Sequence, residues 1–320
     1  MAGRSWGYWT EHKLSMLADY LPCFTTASSR ARTTVYLDLF AGDIENVSKT
    51  TGEAIPGSPK VALDTTPPFG KVVLFELPTE ATRLRKQLQE DYPSRDFTVY
   101  PGDCNASIDT ALCDLAPLAS APTFAFIDQY AAEIHWTTLA KLSRFKRRSP
   151  YKVELWMLFA ASMLPRGLGQ DDSDRVTEFA SRITAMYGTP AWRAIHDARQ
   201  DGRLTAADLR YELVNLMRWR LERLLGYTIT HTVEMKNTRG VPLYEMIFAT
   251  DNAAGNRIMS HIYGLAAERQ PRMREEALSK LRALQEEERG ELTLFPPPVR
   301  TVKPGALYQR RPPEPPYHAR

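Results

Sequence analysis

The chain has 320 residues, 43% hydrophobic and 25% charged, the balance of a globular protein able to bury a sizeable core. Its 41 Lys and Arg against 38 Asp and Glu leave a net charge of only +3, so total charge neither requires nor excludes a polyanionic partner. Cys23, Cys104 and Cys113 stand alone without a C-x-x-C pair, which argues against a disulfide framework and against a cysteine-built zinc or iron–sulfur site. Residues 1–20 lack the apolar core of a secretory signal, and no apolar run is long enough to span a bilayer, so no membrane association and a cytoplasmic address are expected.

Apolar residues at Trp9, Leu14, Leu17 and Leu21 predict an amphipathic helix over 9–21, with Thr10 as a candidate cap. Five apolar runs of strand length follow, at 34–40, 71–75, 97–100, 123–127 and 152–159. Helical patterns lie between them, at 59–64, 79–91, 106–115 and 137–145. Strands apolar on both faces and alternating with helices imply a parallel sheet covered on both sides. Right-handed crossovers bring the strand C-termini to one edge, where such folds bind ligands.

The pattern changes after Leu164. Residues 167–174 read as a loop, and 173–186, 191–199 and 205–225 as helices, the last with Thr205 as N-cap. Two strand-like runs, 227–235 and 243–250, are joined by Asn237, Thr238, Arg239 and Gly240, turn chemistry suited to an antiparallel hairpin. A long charged helix is predicted over 256–289, and the proline-rich tail from Phe295 is expected to be extended or disordered.

A carboxylate stands at or just after the end of each of the first four strands: Asp38, Glu76, Asp103 and Asp128. Together they would line one rim of the sheet. A single acid in such a place caps a helix or sits in solvent about as often as it binds anything, but four in register suit a ligand with a ribose diol, an amino group and an adenine amine. Ala41 and Gly42 let the backbone approach such a ligand closely. Nicotinamide dinucleotides fit poorly. The G-x-G-x-x-G turn is absent, since Asp43, Ile44, Glu45 and Asn46 follow Gly42, and a pyrophosphate would be repelled by the acids. S-adenosylmethionine (SAM), positive at its sulfonium and free of phosphate, is not. A metal-dependent hydrolase would need His-rich or paired-acid spacing that the chain lacks, so no metal is expected.

Asp38–Gly42 resembles motif I of class I SAM-dependent methyltransferases in its D-L-F-A-G form, and Asp128-Gln129-Tyr130 stands where amine-methylating enzymes carry D-P-P-Y. More narrowly, the chain is similar to the three-Cys-motif partner family (TcmP). The matching residues are His12 and Lys13 in the opening helix, Asp38–Gly42, Gly57-Ser58-Pro59, Phe126–Tyr130 with Trp136, Tyr244–Thr250, and Gly255 to Met259.

The resemblance implies an α/β fold with a Rossmann-like class I methyltransferase sheet, mostly parallel with one late antiparallel strand, and a helical insertion. It implies a helical segment at 1–30, a SAM-binding core at 31–165, a helical insertion or lid at 166–226, a closing hairpin and helix at 227–290, and the tail at 291–320. Cofactor contacts are expected from Asp38, Phe40, Ala41, Gly42, Glu76, Leu77, Asp103 and Cys104, and acceptor chemistry from Asp128, Gln129 and Tyr130. The acceptor expected is an amine or a nucleobase. The family name further implies a partner, a radical-SAM-like protein with a three-cysteine motif.

Two departures fall on the site: Asp43-Ile44 where the family has Pro-Gly, and Gln129 where it has proline. Gln129 either offers its amide to a substrate or marks lost activity, the second reading being a SAM-binding partner module without transfer. If the site is active, proline at 129 should stiffen the turn and keep or raise activity. His135 and Trp136 are expected to be structural. The arginines of the insertion, Arg193, Arg199, Arg203, Arg210, Arg218, Arg220 and Arg223, could form a basic lid for nucleic acid, but interspersed acids favour a solvated face.

Overall fold

A computed structural model of the chain describes residues 5–49, 52–146, 149–169, 173–289, 303–305 and 307–319. The N-terminal part carries β1 (Ser5–Trp6), α1 (Tyr8–Ala27), β2 (Val35–Asp38), β3 (Glu45–Ser48), β4 (Ala54–Pro56) and α2 (Ser58–Asp64). The alternating region continues with β5 (Lys71–Glu76), α3 (Pro78–Asp91), β6 (Phe97–Pro101), α4 (Cys104–Asp114), β7 (Thr123–Ile127), α5 (Trp136–Phe145) and β8 (Glu154–Phe159). Then come α6 (Leu164–Leu168), α7 (Ser173–Tyr187), α8 (Trp192–Gln200), α9 (Ala206–Arg223), β9 (Ile229–Lys236), β10 (Pro242–Thr250) and α10 (Ala253–Glu288).

Seven strands of the described residues form the main sheet in the order β6-β5-β2-β7-β8-β10-β9. From β6 to β8 every neighbouring pair is parallel. β10 runs antiparallel to both β8 and β9, so it is the one reversed strand, as the sequence led us to expect. The hairpin closes where Gly240 N–H donates to the Asn237 carbonyl at 2.9 Å.

The chain lays strands outward from β2 to β6, then returns to place β7 on the other side of β2. Connections leave the sheet in opposite directions at that point and open a crevice beyond the C-termini of β2 and β7. This strand order is that of a class I methyltransferase sheet.

Period-2 alternation divides the buried strands between two cores. Val35, Leu37, Ala125, Ile127, Leu155 and Met157 face α4, α5 and the α7–α9 helices. Tyr36, Phe124, Phe126, Trp156 and Leu158 face α1, α2 and α10. In the second core Trp156 donates to the Tyr263 hydroxyl at 2.8 Å, and Tyr263 donates to the Met246 carbonyl at 3.0 Å, so α10 is locked to β10 with its buried polar groups satisfied.

Several boundaries differ from expectation. α1 starts at Tyr8, and Thr10 lies inside it, giving its N–H to the Gly7 carbonyl at 2.9 Å rather than capping. The helix passes through Pro22, where a proline rule would stop it, because Phe24 and Thr25 beyond it are buried. α4 starts at Cys104 with Asp103 as its N-cap, and Thr205 forms a capping box with Asp208 at α9. The small sheet β1-β3-β4 has no signature in the sequence, since strands of two to four residues are too short to carry a readable alternation.

Residues 303–305 of the tail lie against α10, where Gly305 N–H bonds the Glu268 carbonyl at 3.2 Å, and residues 307–319 run along α9 and β9 apart from a final turn at Tyr317–Ala319. Asn215 bonds the Glu314 backbone at 2.8 and 3.1 Å, and Arg310 pairs with Glu222 at 2.9 Å. No helix among the described residues is long and apolar enough to cross a membrane.

Candidate functional site

The strand-end crevice is a cleft of about 830 Å³, within the range of small-molecule and cofactor sites. Its floor is the segment after β2. Leu39 N–H bonds the Phe126 carbonyl at 3.0 Å and Ala41 N–H the Phe75 carbonyl at 3.0 Å, so this turn is stitched to the ends of both flanking strands. Gly42 adopts φ +65°, and a Cβ there would project into open space, leaving the backbone bare toward the cleft.

Glu76 ends β5 and lines the cleft. Its carboxylate accepts the Gly42 N–H at 2.6 Å and the Leu77 N–H at 2.9 Å, which fixes both oxygens while leaving each a further lone pair. Leu77 beside it is 59% exposed, an apolar surface in search of a flat partner. Asp103 joins the same wall and uses one oxygen to cap α4, accepting the Asn105 N–H at 2.8 Å. Cys104 is buried beneath it, and burial pushes its thiol up to about 12, so it acts as an apolar wall rather than a nucleophile.

Asp38 does not join this rim. As the last residue of β2 it shares a strand face with Tyr36 and is fully buried, and it is not part of the cleft lining. It accepts the Tyr36 hydroxyl at 3.0 Å and the Phe40 N–H at 3.3 Å, so it holds the turn from below. Burial raises its carboxyl to about 7. Of the four strand-end acids, Glu76, Asp103 and Asp128 meet in the cleft, and Asp38 supports its floor.

At the other end, Asp128 forms an ion pair with Lys13 of α1. The Lys13 side chain is 6% exposed and lies about 6 Å from the ring centres of Phe126 and Tyr244. Gln129 is 1% exposed and its amide is engaged inside the fold. It donates to the Leu158 carbonyl at 3.1 Å and approaches the Met186 sulfur at 3.7 Å, and its oxygen accepts the Glu133 and Ile134 N–H groups at 2.9 and 3.0 Å. The Gln129 side chain, open in the sequence to holding a substrate or marking lost activity, is a loop clamp. Tyr130 is 69% exposed, its ring free over the cleft.

Asn105 completes the frame. Its amide donates to the Glu133 carbonyl at 2.8 Å and accepts from His135 N–H and the Thr138 hydroxyl at 2.9 and 2.8 Å, joining α4 to the Asp128 loop. His135 is the N-cap position of α5 and lines the cleft, while Trp136 packs under Arg220, whose guanidinium lies 4.5 Å from the ring centre. Most insertion arginines serve packing or surface pairs: Arg218 is buried against Thr230, Arg193 lies over Trp192, and Arg203 pairs with Asp201.

Nothing in the sequence pattern marks Asn105 as a frame residue, Trp6, Trp9 and Lys49 as cleft wall, or Lys13 as a partner of Asp128. For Lys13 the available signal was a lysine among the apolar positions of an amphipathic helix.

No family model matches the chain, and the comparison with curated proteins found no match. Among solved structures it is similar to the methyltransferase domain of bacterial CtHen1-C at 10% identity and a TM-score of 0.35, over 74% of this chain and 98% of that one. The Legionella pneumophila protein LPL1258 overlaps at 13% identity and a TM-score of 0.29, over 53% of this chain and 73% of that one. The strand order, not these overlaps, carries the fold class.

Proposed function

We propose that the cleft binds SAM and that the chain is a methyltransferase acting on an amine or nucleobase-type acceptor. The observation that supports this best is Glu76. A carboxylate fixed by two backbone N–H groups at the second strand end, beside a bare glycine turn and an exposed Leu77, fits a ribose diol with an adenine ring next to it. Phe40, Ala41 and Gly42 would face the methionine portion, and Asp103 with the Cys104 backbone the adenine amine.

Bound SAM supplies an electrophilic methyl group, and in-line transfer asks the protein for position and charge placement. Asp128 would accept a hydrogen bond from the acceptor's amino group, the Gln129 carbonyl would share that task, and the Tyr130 ring would stack on a planar acceptor. Lys13 holds the Asp128 carboxylate at one oxygen and leaves the other for the acceptor.

The test is calorimetry with SAM and S-adenosylhomocysteine, followed by transfer of labelled methyl groups into RNA, DNA and protein. Absence of SAM binding would end this reading. A second reading, a partner module for a three-Cys-motif protein that binds SAM without transferring, is favoured by the Lys13–Asp128 pair, which occupies part of the acceptor carboxylate. Binding of SAM with no labelled acceptor, with or without that partner, would select it.

A further inference from the structure

A second concavity, of about 510 Å³, lies between α6, α8, the first turns of α9 and the start of β10. Arg166, Arg199 and Arg210 converge on it, and no carboxylate lines it among the described residues. Arg199 gives one N–H to the Leu204 carbonyl at 3.2 Å, and none of the three arginines has an ion-pair partner among the described residues. Of the insertion's other arginines, Arg182 meets Glu133 and Arg203 meets Asp201, while Arg193 and Arg220 lie over the Trp192 and Trp136 rings. Arg166 and Arg199 are exposed and Arg210 is half-buried, so their guanidinium groups are open to an anion, and the planar fork of Arg suits phosphate oxygens.

The hollow shares a wall with the strand-end cleft. Ser162 and Pro242 line the hollow, while the next residues, Met163 and Leu243, line the cleft, and Ser162 is hydrogen-bonded to the Leu243 carbonyl. Adjacent residues therefore face the two cavities from one ridge. The acceptor end of the cleft presents the exposed Tyr130 ring. A planar ring site and a cationic hollow on either side of one ridge suit a polynucleotide, which carries bases and phosphates along one chain. A lone amine or a free amino acid would use only the cleft.

The geometry points to Arg166, Arg199 and Arg210 as a binding site for phosphodiester groups of a single-stranded polynucleotide acceptor whose base enters the cleft; this rests on the methyl-transfer reading and names its substrate class. The test is fluorescence anisotropy with a short fluorescein-labelled single-stranded RNA across a salt series. Wild type should bind at about 50 mM salt, and Arg166→Gln/Arg199→Gln/Arg210→Gln should bind at least about tenfold more weakly. The salt slope should fall by about 0.7 for each phosphate that is no longer neutralised. Arg203→Gln, outside the hollow, should change affinity less than about twofold. Arg166→Gln/Arg210→Gln, which spares the Arg199–Leu204 bond, keeps the test if the triple variant fails to fold.

Calorimetry with SAM on the same variants should give wild-type affinity. Equal RNA affinity in wild type and the double variant would overturn the inference. So would competition by inorganic phosphate or polyglutamate as effective, per charge, as the RNA. RNA held through these arginines without methyl transfer would defeat the proposed activity and leave the phosphate site standing. Methyl transfer to a small amine with no arginine effect on RNA would do the reverse.

Discussion

Lys13 of α1 and Asp128 after β7 stand 115 residues apart in sequence, yet they form an ion pair at the mouth of the cleft, the lysine almost fully buried and the carboxylate 24% exposed. The pair ties α1 to the end of β7 through one carboxylate oxygen, Oδ2. Removing one partner of a buried pair leaves an uncompensated charge. Lys13→Met should lower stability by about 1–3 kcal/mol, and Lys13→Met/Asp128→Asn should recover most of that loss. Denaturant unfolding of the two single variants and the double variant measures the coupling. Additive losses would show that the pair contributes no mutual stabilisation.

Glu76→Ala should weaken SAM binding by about 1.5–3 kcal/mol, roughly ten- to a hundredfold, because it removes the acceptor for the diol and frees the Gly42 and Leu77 N–H groups. Glu80→Ala, in the first turn of α3 and outside the cleft lining, should cost about 0.5 kcal/mol or less. Titration calorimetry on both variants decides, and equal affinities would remove Glu76 from the cofactor site.

The expectation for proline at 129 reverses once the side chain is seen. Gln129→Pro would delete its bonds to the Leu158 carbonyl and to the Glu133 and Ile134 N–H groups, leaving buried polar atoms without partners. We expect a loss of about 2–4 kcal/mol and lower, not higher, transfer. Gln129→Glu should be milder on the two N–H groups and unfavourable at the Leu158 carbonyl. Thermal unfolding of the proline variant above the wild-type midpoint would refute the clamp.

If the proposed arrangement holds, with Asp128 at the acceptor and Glu76 and Asp103 at the cofactor, Asp128→Ala should abolish transfer while SAM affinity changes by less than about twofold. Single-turnover transfer from labelled SAM, with binding measured in parallel, separates the two effects. Unchanged transfer would place the reacting centre elsewhere.

Burial raises the Glu154 carboxyl from 4.5 to about 7, although Tyr20 and Thr250 donate to it at 2.5 and 2.7 Å. Its folded-state value lies above the unfolded one, so the folded protein binds more protons between them. Stability therefore falls as pH rises from about 4.5 to 7 and levels off above. Burial lowers His12 to about 4, which gives the opposite slope below its ordinary 6.5. Glu154→Gln removes only the first effect. Relative to wild type it should gain about 1–3 kcal/mol between pH 5 and 8, read from unfolding midpoints. A constant difference across that range would mean Glu154 is charged throughout in the folded state.

The sequence by itself determined the layered α/β fold, because strands buried on both faces and helices with one apolar face leave periodicities that survive in one dimension. It also placed Glu76, Asp103 and Asp128 on one rim, since all three end strands that run parallel. It misplaced Asp38, whose strand parity turns the carboxylate into the core instead of the cleft, a matter of one residue in register. Only the tertiary structure decided the rest. Gln129 became a clamp because Leu158 and Met186 reach it from other elements, Lys13 became a partner of Asp128 because α1 crosses the end of β7, and three arginines from α6, α8 and α9 met around one hollow. Each of these depends on residues far apart in sequence, and local propensity carries no record of such meetings.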